Sequence, residues 1–180
     1  TEWRVSRMGR AMENTAFLAD WAANDHMPPC LSCHAPFQAQ QPEVVTGVAS
    51  VVPDVGFEAT PNPGFDEAFQ REGVTCMACH VTTGGAIASV HADAEAPHAV
   101  SVDPRLTSGA VCVRCHEMEN SPLFDLARPV IDTVGEHSVW RAEPGNTETC
   151  VDCHMSAVER PSVAGAPVRS SRRHDFHGGW

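Results

Sequence analysis

The pentapeptide CLSCH at residues 30–34 recurs as CMACH at 76–80, CVRCH at 112–116 and CVDCH at 150–154. These four copies contain all eight cysteines of the 180-residue sequence. The two residues between the cysteines vary from copy to copy, whereas both cysteines and the following histidine do not. The repeat therefore specifies a chemistry and not a packing environment.

Three kinds of chemistry use closely spaced cysteines. A disulfide framework suits an exported chain, but its cysteines are rarely paired three residues apart and followed by histidine. Structural zinc would pair two C-x-x-C units and leave the histidines unexplained. In c-type haem attachment, both thiols of C-x-x-C-H form thioethers with the porphyrin and the histidine is placed to bind the iron. Four copies that use every cysteine favour the third interpretation, and we expect four haem c groups.

This interpretation assigns twelve residues. The predicted attachment residues are Cys30, Cys33, Cys76, Cys79, Cys112, Cys115, Cys150 and Cys153. The predicted proximal iron ligands are His34, His80, His116 and His154.

Four haems in a chain of this length leave about 45 residues for each, so the porphyrins must supply much of the buried apolar volume. The 14 prolines and 13 glycines are scattered, and strand alternation is hard to find. We therefore predict one tetrahaem cytochrome c domain over residues 1–180. Its expected fold class is mainly α with much irregular coil and little or no sheet.

The spacing of apolar residues predicts few helices. The predicted helices cover 6–23 with Ser6 as N-cap, 66–73 from Asp66 to Gly73, and 129–142 from Pro129. Each C-x-x-C-H is also predicted to lie at the start of a short helical turn. Loop or irregular coil is predicted for 28–45, 58–69 and 160–173, which are rich in Pro, Gly and polar residues.

The ligand on the second side of each iron decides what the haems do. An iron with two imidazole ligands transfers electrons, whereas an open iron can bind a small molecule. Six histidines remain after the motifs are removed, and neighbouring Pro, Trp, Phe or Gly residues favour four of them. The predicted distal ligands are His26, His98, His137 and His174, with His91 and His177 in reserve.

Methionine is the competing axial ligand and would raise the reduction potential. The chain has six methionines, and most of them fit the alternative role of packing sulfur around a porphyrin. Ligation dominated by histidine implies mostly low potentials.

The charge of the chain restricts its partners. It has 23 acidic residues against 12 basic ones, all of them Arg, and a net charge of -11. Four ferric haems would bring this to about -15, which disfavours nucleic acid and anionic membrane surfaces. The apolar run 44–52 is too short to span a bilayer. We expect redox-protein partners with basic or cation-bridged surfaces, or copies of the chain itself.

Several of these segments together resemble multihaem cytochromes c, in the broad group that includes the tetrahaem acceptor of hydroxylamine oxidoreductase and tetrahaem cytochromes of extracellular filaments. The resemblance covers roughly residues 21–179. It is carried by Trp21 and His26 before the first motif, GVTCMACH at 73–80, PHAVSVDPRLTSGAVCVRCHE at 97–117, TCVDCHM at 149–155 and HDFHGG at 174–179.

The resemblance implies closely stacked haem pairs, mostly two-histidine ligation and relay of several electrons. By position, His26, His98 and His174 match distal ligands of the group. His137 departs from it, because that helix more often carries an aromatic–acidic pair before its Trp.

Three functions follow. The first is an electron carrier that relays electrons through four haems and is not an enzyme. The second is a subunit of a polymerising extracellular filament, in which a distal histidine comes from the next subunit. The third is a small-molecule redox enzyme with one open haem. The chain has no Lys and no Tyr, which are the residues that bind or crosslink to the active haem in some enzymes of this kind, and their absence weakens this hypothesis. C-type attachment and the absence of a leader place the expected mature protein in the periplasm or outside the cell.

Overall fold

The computed structural model describes residues 1–50, 55–92, 96–118, 131–161 and 165–178. Its α-helices, in chain order, are α1 Glu2–Val5, α2 Thr15–Ala23, α3 Leu31–His34, α4 Glu67–Gln70, α5 Met77–His80, α6 Arg105–Ser108, α7 Val113–His116, α8 Thr133–Arg141 and α9 Cys150–His154. Short 3-10 turns cover Ala11–Glu13, Pro28–Cys30 and Gln38–Gln40.

The strands form four two-stranded sheets in these ranges. They are β1 Glu43–Ser50, β2 Gly56–Pro61, β3 Ile87–Ser89, β4 Val100–Val102, β5 Glu117–Met118, β6 Ile131–Asp132, β7 Ala157–Pro161 and β8 Val168–Arg172. The pairs β1–β2, β5–β6 and β7–β8 are antiparallel, whereas β3–β4 is parallel.

The predicted fold class was wrong. Helical residues make up 36% of the described chain and strand residues 22%, so the fold is mixed α/β with short sheets. The largest error is the hairpin β1–β2, since part of each strand was predicted as loop. Its register shifts between Val45 and Gly47 and between Val48 and Ser50. These irregularities interrupt the two-residue alternation from which a strand is recognised.

The C-terminal region 160–173 was also wrongly predicted to be irregular. Its described part belongs to the hairpin β7–β8, in which Ala157 pairs with Arg172 and Pro161 with Val168. Arg and Ser dominate β8, and three of its five residues are exposed. A strand with so little contact with a core gives no apolar alternation.

Two of the three longer helix predictions need correction at their start. Asn14, not Ser6, caps α2, because its side chain accepts bonds from the backbone N–H groups of Ala16 and Phe17. Ser6 instead follows α1. The helix predicted over 129–142 is α8, which begins at Thr133; the predicted start at Pro129 lies outside the described residues.

The prediction for 66–73 is confirmed in outline. Asp66 caps α4 by accepting a hydrogen bond from the Phe69 N–H, and the chain turns away at Gly73 with φ of +60°. Each C-x-x-C-H also forms a short helix as predicted, but the helix ends at the motif's histidine and does not continue beyond it.

The buried core of the described chain is small. Met12, Leu31 and Ala35 form a buried cluster, against which Phe17, Leu18 and Trp21 pack. The accessible surface is 11845 Å², whereas a compact folded chain of this mass exposes about 8500 Å². The polypeptide therefore covers relatively little of its own apolar surface.

Buried polar contacts join the loops between the first two motifs. Gln40 is fully buried and donates to the carbonyl oxygens of Phe69 (2.9 Å) and Gly73 (2.8 Å). Its Oε1 accepts the Phe37 N–H at 3.1 Å. Because all its polar groups are bonded, this amide can lie in the interior and fix the two loops together.

Candidate functional site

Each of the four motifs is a single helical turn that ends at its histidine. Such short helices are not stable in isolation and depend on contacts with the rest of the fold. The fourth motif has a capping box, in which Thr149 accepts from the Asp152 N–H and Asp152 accepts from the Thr149 N–H. The other three begin at their first cysteine without a side-chain cap.

The third motif lies at the centre of the cysteine arrangement. The Cys115 and Cys33 thiols are hydrogen bonded, which lowers the pKa of Cys33 and raises that of Cys115. Burial raises the pKa of Cys112 to about 11, with smaller contributions from nearby Cys150 and Cys79. Cys33 of the first motif therefore bonds to the third motif, and cysteines of the second and fourth motifs lie near enough to act on it electrostatically.

Backbone contacts support the same arrangement. Arg114 of the third motif donates to the carbonyl oxygen of Ala78 in the second. Gly109, at φ of +80°, approaches the fourth motif so closely that a Cβ atom there would lie 2.9 Å from Cys150 Cβ. Thr149 Oγ1 also donates to the Thr107 carbonyl oxygen at 3.5 Å. The segment before α7 thus packs directly on α9.

All eight cysteines are free thiols in the structure. Within the described ranges, no three His, Cys, Asp or Glu side chains converge as ligands of one metal ion.

The first motif lies in the apolar core. The His34 ring stacks on Phe17 with ring centres 3.5 Å apart and an interplanar angle of 5°. Leu31 and Ala35 on either side are buried. Burial lowers the pKa of His34, and its Nδ1 has no hydrogen-bond partner. The neutral imidazole that results is the form that binds metals.

Two motif histidines have their Nδ1 atoms fixed by backbone carbonyls. His80 Nδ1 lies 3.0 Å from the Ala88 oxygen, and His154 Nδ1 lies 2.6 Å from the His177 oxygen. A carbonyl only accepts, so each Nδ1 carries a proton, and in the neutral ring this leaves the lone pair on Nε2. Metal-binding histidines are commonly oriented in this way.

The structure pairs the second motif with a predicted distal histidine. The rings of His80 and His174 have centres 5.9 Å apart and planes inclined at 39°. Burial, followed by the neighbouring His80, lowers the pKa of His174. Two imidazoles on opposite sides of one metal, each bonded at about 2 Å, have ring centres roughly 6 Å apart. The spacing of this pair would therefore allow both imidazoles to bind one iron.

The third and fourth motif histidines are also neighbours. Partial burial lowers the pKa of His116, and nearby His154 lowers it further. A Cβ atom at Gly178, where φ is +87°, would lie 3.4 Å from the His154 ring. The backbone at Gly178 therefore lies in contact with this ring, and the His177 carbonyl accepts from its Nδ1.

The other predicted distal histidines have no motif histidine as a ring partner in the described structure. His26 is exposed and has φ of +55°. Its ring packs edge-on against the Trp21 ring, with the ring centres 4.7 Å apart. His98 is exposed, as is the reserve residue His91.

The remaining two have ring atoms engaged elsewhere. His137 stacks on Trp140, and its Nε2 lies 3.1 Å from the Glu148 carbonyl oxygen. The Nε2 atom of His177 lies 2.9 Å from Ser156 Oγ. Its backbone, and not its ring, contacts the fourth motif.

Several residues around the histidines gave no signal in the sequence. Glu2 accepts the His174 N–H at 3.0 Å and pairs with Arg160 at 2.9 Å. This backbone hydrogen bond is the main cause of the lowered pKa of Glu2. Phe17 lies at an ordinary helix position, and only its ring contact with His34 identifies it. No sequence motif predicts either contact.

The residues present fit haem as the ligand of these motifs. The cysteine pairs supply accessible or half-buried thiols, and two motif histidines offer an oriented Nε2. His174 completes a two-imidazole pair with His80. Haem bound here would supply one-electron redox chemistry.

No protein-family model, curated protein or solved structure matches the chain.

Proposed function

We propose that the protein attaches four haem groups covalently at its C-x-x-C-H motifs and transfers electrons among them. The observation that carries the proposal is that the third motif and the segment just before it contact residues of each of the other three motifs. Groups attached at such neighbouring motifs would themselves be neighbours. The sequence repeat supports the same cofactor, since it uses every cysteine.

The roles of the residues follow from their chemistry. The eight cysteines would hold the porphyrins, and His34, His80, His116 and His154 would bind the irons. The carbonyl contacts at His80 and His154 hold the protons on Nδ1 and leave Nε2 as ligand. His174 would serve as the second ligand opposite His80 and keep that iron closed to small molecules.

Location and partners are part of this proposal. Covalent attachment to C-x-x-C-H takes place outside the cytoplasmic membrane, so the protein would act in the periplasm or beyond. No helix in the described ranges has the length and hydrophobicity needed to cross a membrane. The acidic charge favours a redox partner with a basic or cation-bridged surface.

Removal of the central motif tests the proposal. The double variant Cys112→Ser, Cys115→Ser should carry three haems, and stopped-flow reduction should show slower exchange of electrons among them. The matched variant Cys150→Ser, Cys153→Ser also removes one haem but leaves the central motif intact, and should exchange faster. Equal rates in both three-haem proteins, or no haem in the wild type, would count against the proposal.

A further inference from the structure

Residues 2–8, called the N-terminal clasp below, contact the two chain segments that carry His80 and His174. On one side, Trp3 Nε1 donates to the Val74 carbonyl oxygen at 2.8 Å, and the Val74 N–H donates to the Met8 carbonyl oxygen at 3.1 Å. Val74 leads directly into the second motif. On the other side, Glu2 Oε2 accepts the His174 N–H.

The clasp is itself a fixed turn. Ser6 is buried. Its Oγ donates to the Trp3 carbonyl oxygen at 2.7 Å and accepts the Gly9 N–H at 3.1 Å. These bonds return the chain from Trp3 to Met8, so that both residues reach Val74. Adjacent Glu2 and Trp3 therefore hold two segments that are distant in the sequence.

Glu2 is fixed by charge as well. Its Oε1 accepts from Arg160 Nη1 at 2.9 Å and lies 3.7 Å from Arg173 Nε. Arg160 in turn donates to the Arg172 carbonyl oxygen at 3.0 Å, which ties β7 to the end of β8. The carboxylate is thus oriented on both oxygens, and the His174 backbone is held at the end of this network.

We propose that Glu2 is a positioning residue for His174, and that the N-terminal clasp sets the pairing of His174 with His80. The inference rests on the proposed function, because a fixed pair has a role only where both imidazoles bind one iron. It adds a part of the chain, outside all four motifs, that controls one ligand position.

The test compares holoprotein variants. Glu2→Ala removes both acceptor oxygens and the charge. Glu2→Gln keeps one carbonyl oxygen that can accept the His174 N–H, but loses the charge and the second acceptor oxygen, which bonds Arg160. Glu13→Ala is the control, since Glu13 is an exposed carboxylate of the same N-terminal region that pairs with Arg10. Hydrogen exchange of a peptide containing His174 and the high-spin absorption signal are measured after the haem content has been counted.

We expect Glu2→Ala to lose protection at the His174 amide and to show a high-spin signal from up to one haem in four. Glu2→Gln should show a smaller change and Glu13→Ala none. If hydrogen exchange and the spectrum are unchanged in Glu2→Ala, the inference about the clasp is overturned. The proposed function would still stand in that case, provided that the wild type carries four haems. A wild type without haem would instead overturn the proposed function.

A second variant covers the case in which Glu2→Ala does not fold. Trp3→Phe keeps an apolar ring and removes the bond to Val74. It should loosen the clasp from the second motif and perturb the haem at the His80 motif. A change at a different haem, or no change, would contradict the role of the clasp.

Discussion

The rings of His80 and His174 have centres 5.9 Å apart, although His80 ends the second motif and His174 follows β8. The Ala88 carbonyl fixes His80 through Nδ1, and Glu2 holds the backbone of His174. One histidine is therefore held through its ring and the other through its backbone, and no direct bond joins the two rings. A pair at this spacing would allow both imidazoles to bind one iron.

Replacing His174 should open one iron. We expect His174→Ala to retain four haems but to show more high-spin signal than the wild type and to bind about one more equivalent of carbon monoxide when reduced, since one imidazole is lost. The wild type, which keeps the His80–His174 pair, is the control. Carbon monoxide binding that is equal in the two proteins would exclude His174 as a ligand.

Gly178 should affect the fourth motif for reasons of space. Alanine at Gly178 or at Gly145 meets the same left-handed backbone, with φ of +87° and +94°, which costs about 1 kcal/mol in the free energy of unfolding. Only Gly178→Ala places a Cβ against the His154 ring. We expect similar stabilities but an altered visible spectrum in Gly178→Ala alone; identical spectra would show that the close approach is unimportant.

Gln40 should contribute strongly to stability. Gln40→Ala leaves the carbonyls of Phe69 and Gly73 and the Phe37 N–H without their partner. The expected loss is about 3 kcal/mol in the free energy of unfolding, measured by guanidinium denaturation. Gln38→Ala changes an exposed glutamine in the same turn and should cost less than about 0.5 kcal/mol. Equal losses would argue against the buried amide as a structural link.

Asp103 should make stability depend on pH at acidic values. Hydrogen bonds from Arg105 lower the pKa of this carboxyl from its ordinary value of 3.8. Because the folded state favours the ionised form, its contribution is present above about pH 4 and is lost as pH falls through the lowered pKa. The difference in unfolding free energy between the wild type and Asp103→Asn should therefore shrink on acidification.

The exposed pair Glu67–Arg71 provides a control for this effect. Glu67→Gln should change stability little at any pH, as is usual for exposed ion pairs. The role of Asp103 would be contradicted if the difference in unfolding free energy between the wild type and Asp103→Asn stayed constant between pH 6 and pH 2.

Electron exchange with a basic redox protein should depend on salt. The chain carries a net charge of -11 before any haem is added. Screening by added salt weakens the attraction between the two proteins. The second-order rate constant should fall as ionic strength rises with a basic partner, and an acidic partner should show no such fall. Insensitivity to salt with the basic partner would exclude electrostatic steering.

The sequence predicted the local elements that depend on nearby residues. Asp66 could be recognised as a cap because its bond to the Phe69 N–H spans three residues. The C-x-x-C-H turns could be recognised because the motif itself defines them. In both cases the deciding contacts lie within a few positions of each other.

The features that the sequence did not predict depend on contacts between segments that are distant in the sequence. The hairpin β1–β2 is mostly exposed and has irregular register, so neither face leaves an alternating pattern. The clasp contact of Glu2 with His174 joins residues 172 positions apart in the sequence, and no local pattern encodes it. The predicted role of His174 came from its setting and the resemblance, whereas its pairing with His80 required the structure.

The mass of the intact purified polypeptide tests the central claim most directly. Four covalent haems predict a mass greater than that of the bare chain by four haem units, with tryptic peptides of all four motifs each carrying one. A bare polypeptide mass, or a preparation whose metal is mainly zinc, would contradict it.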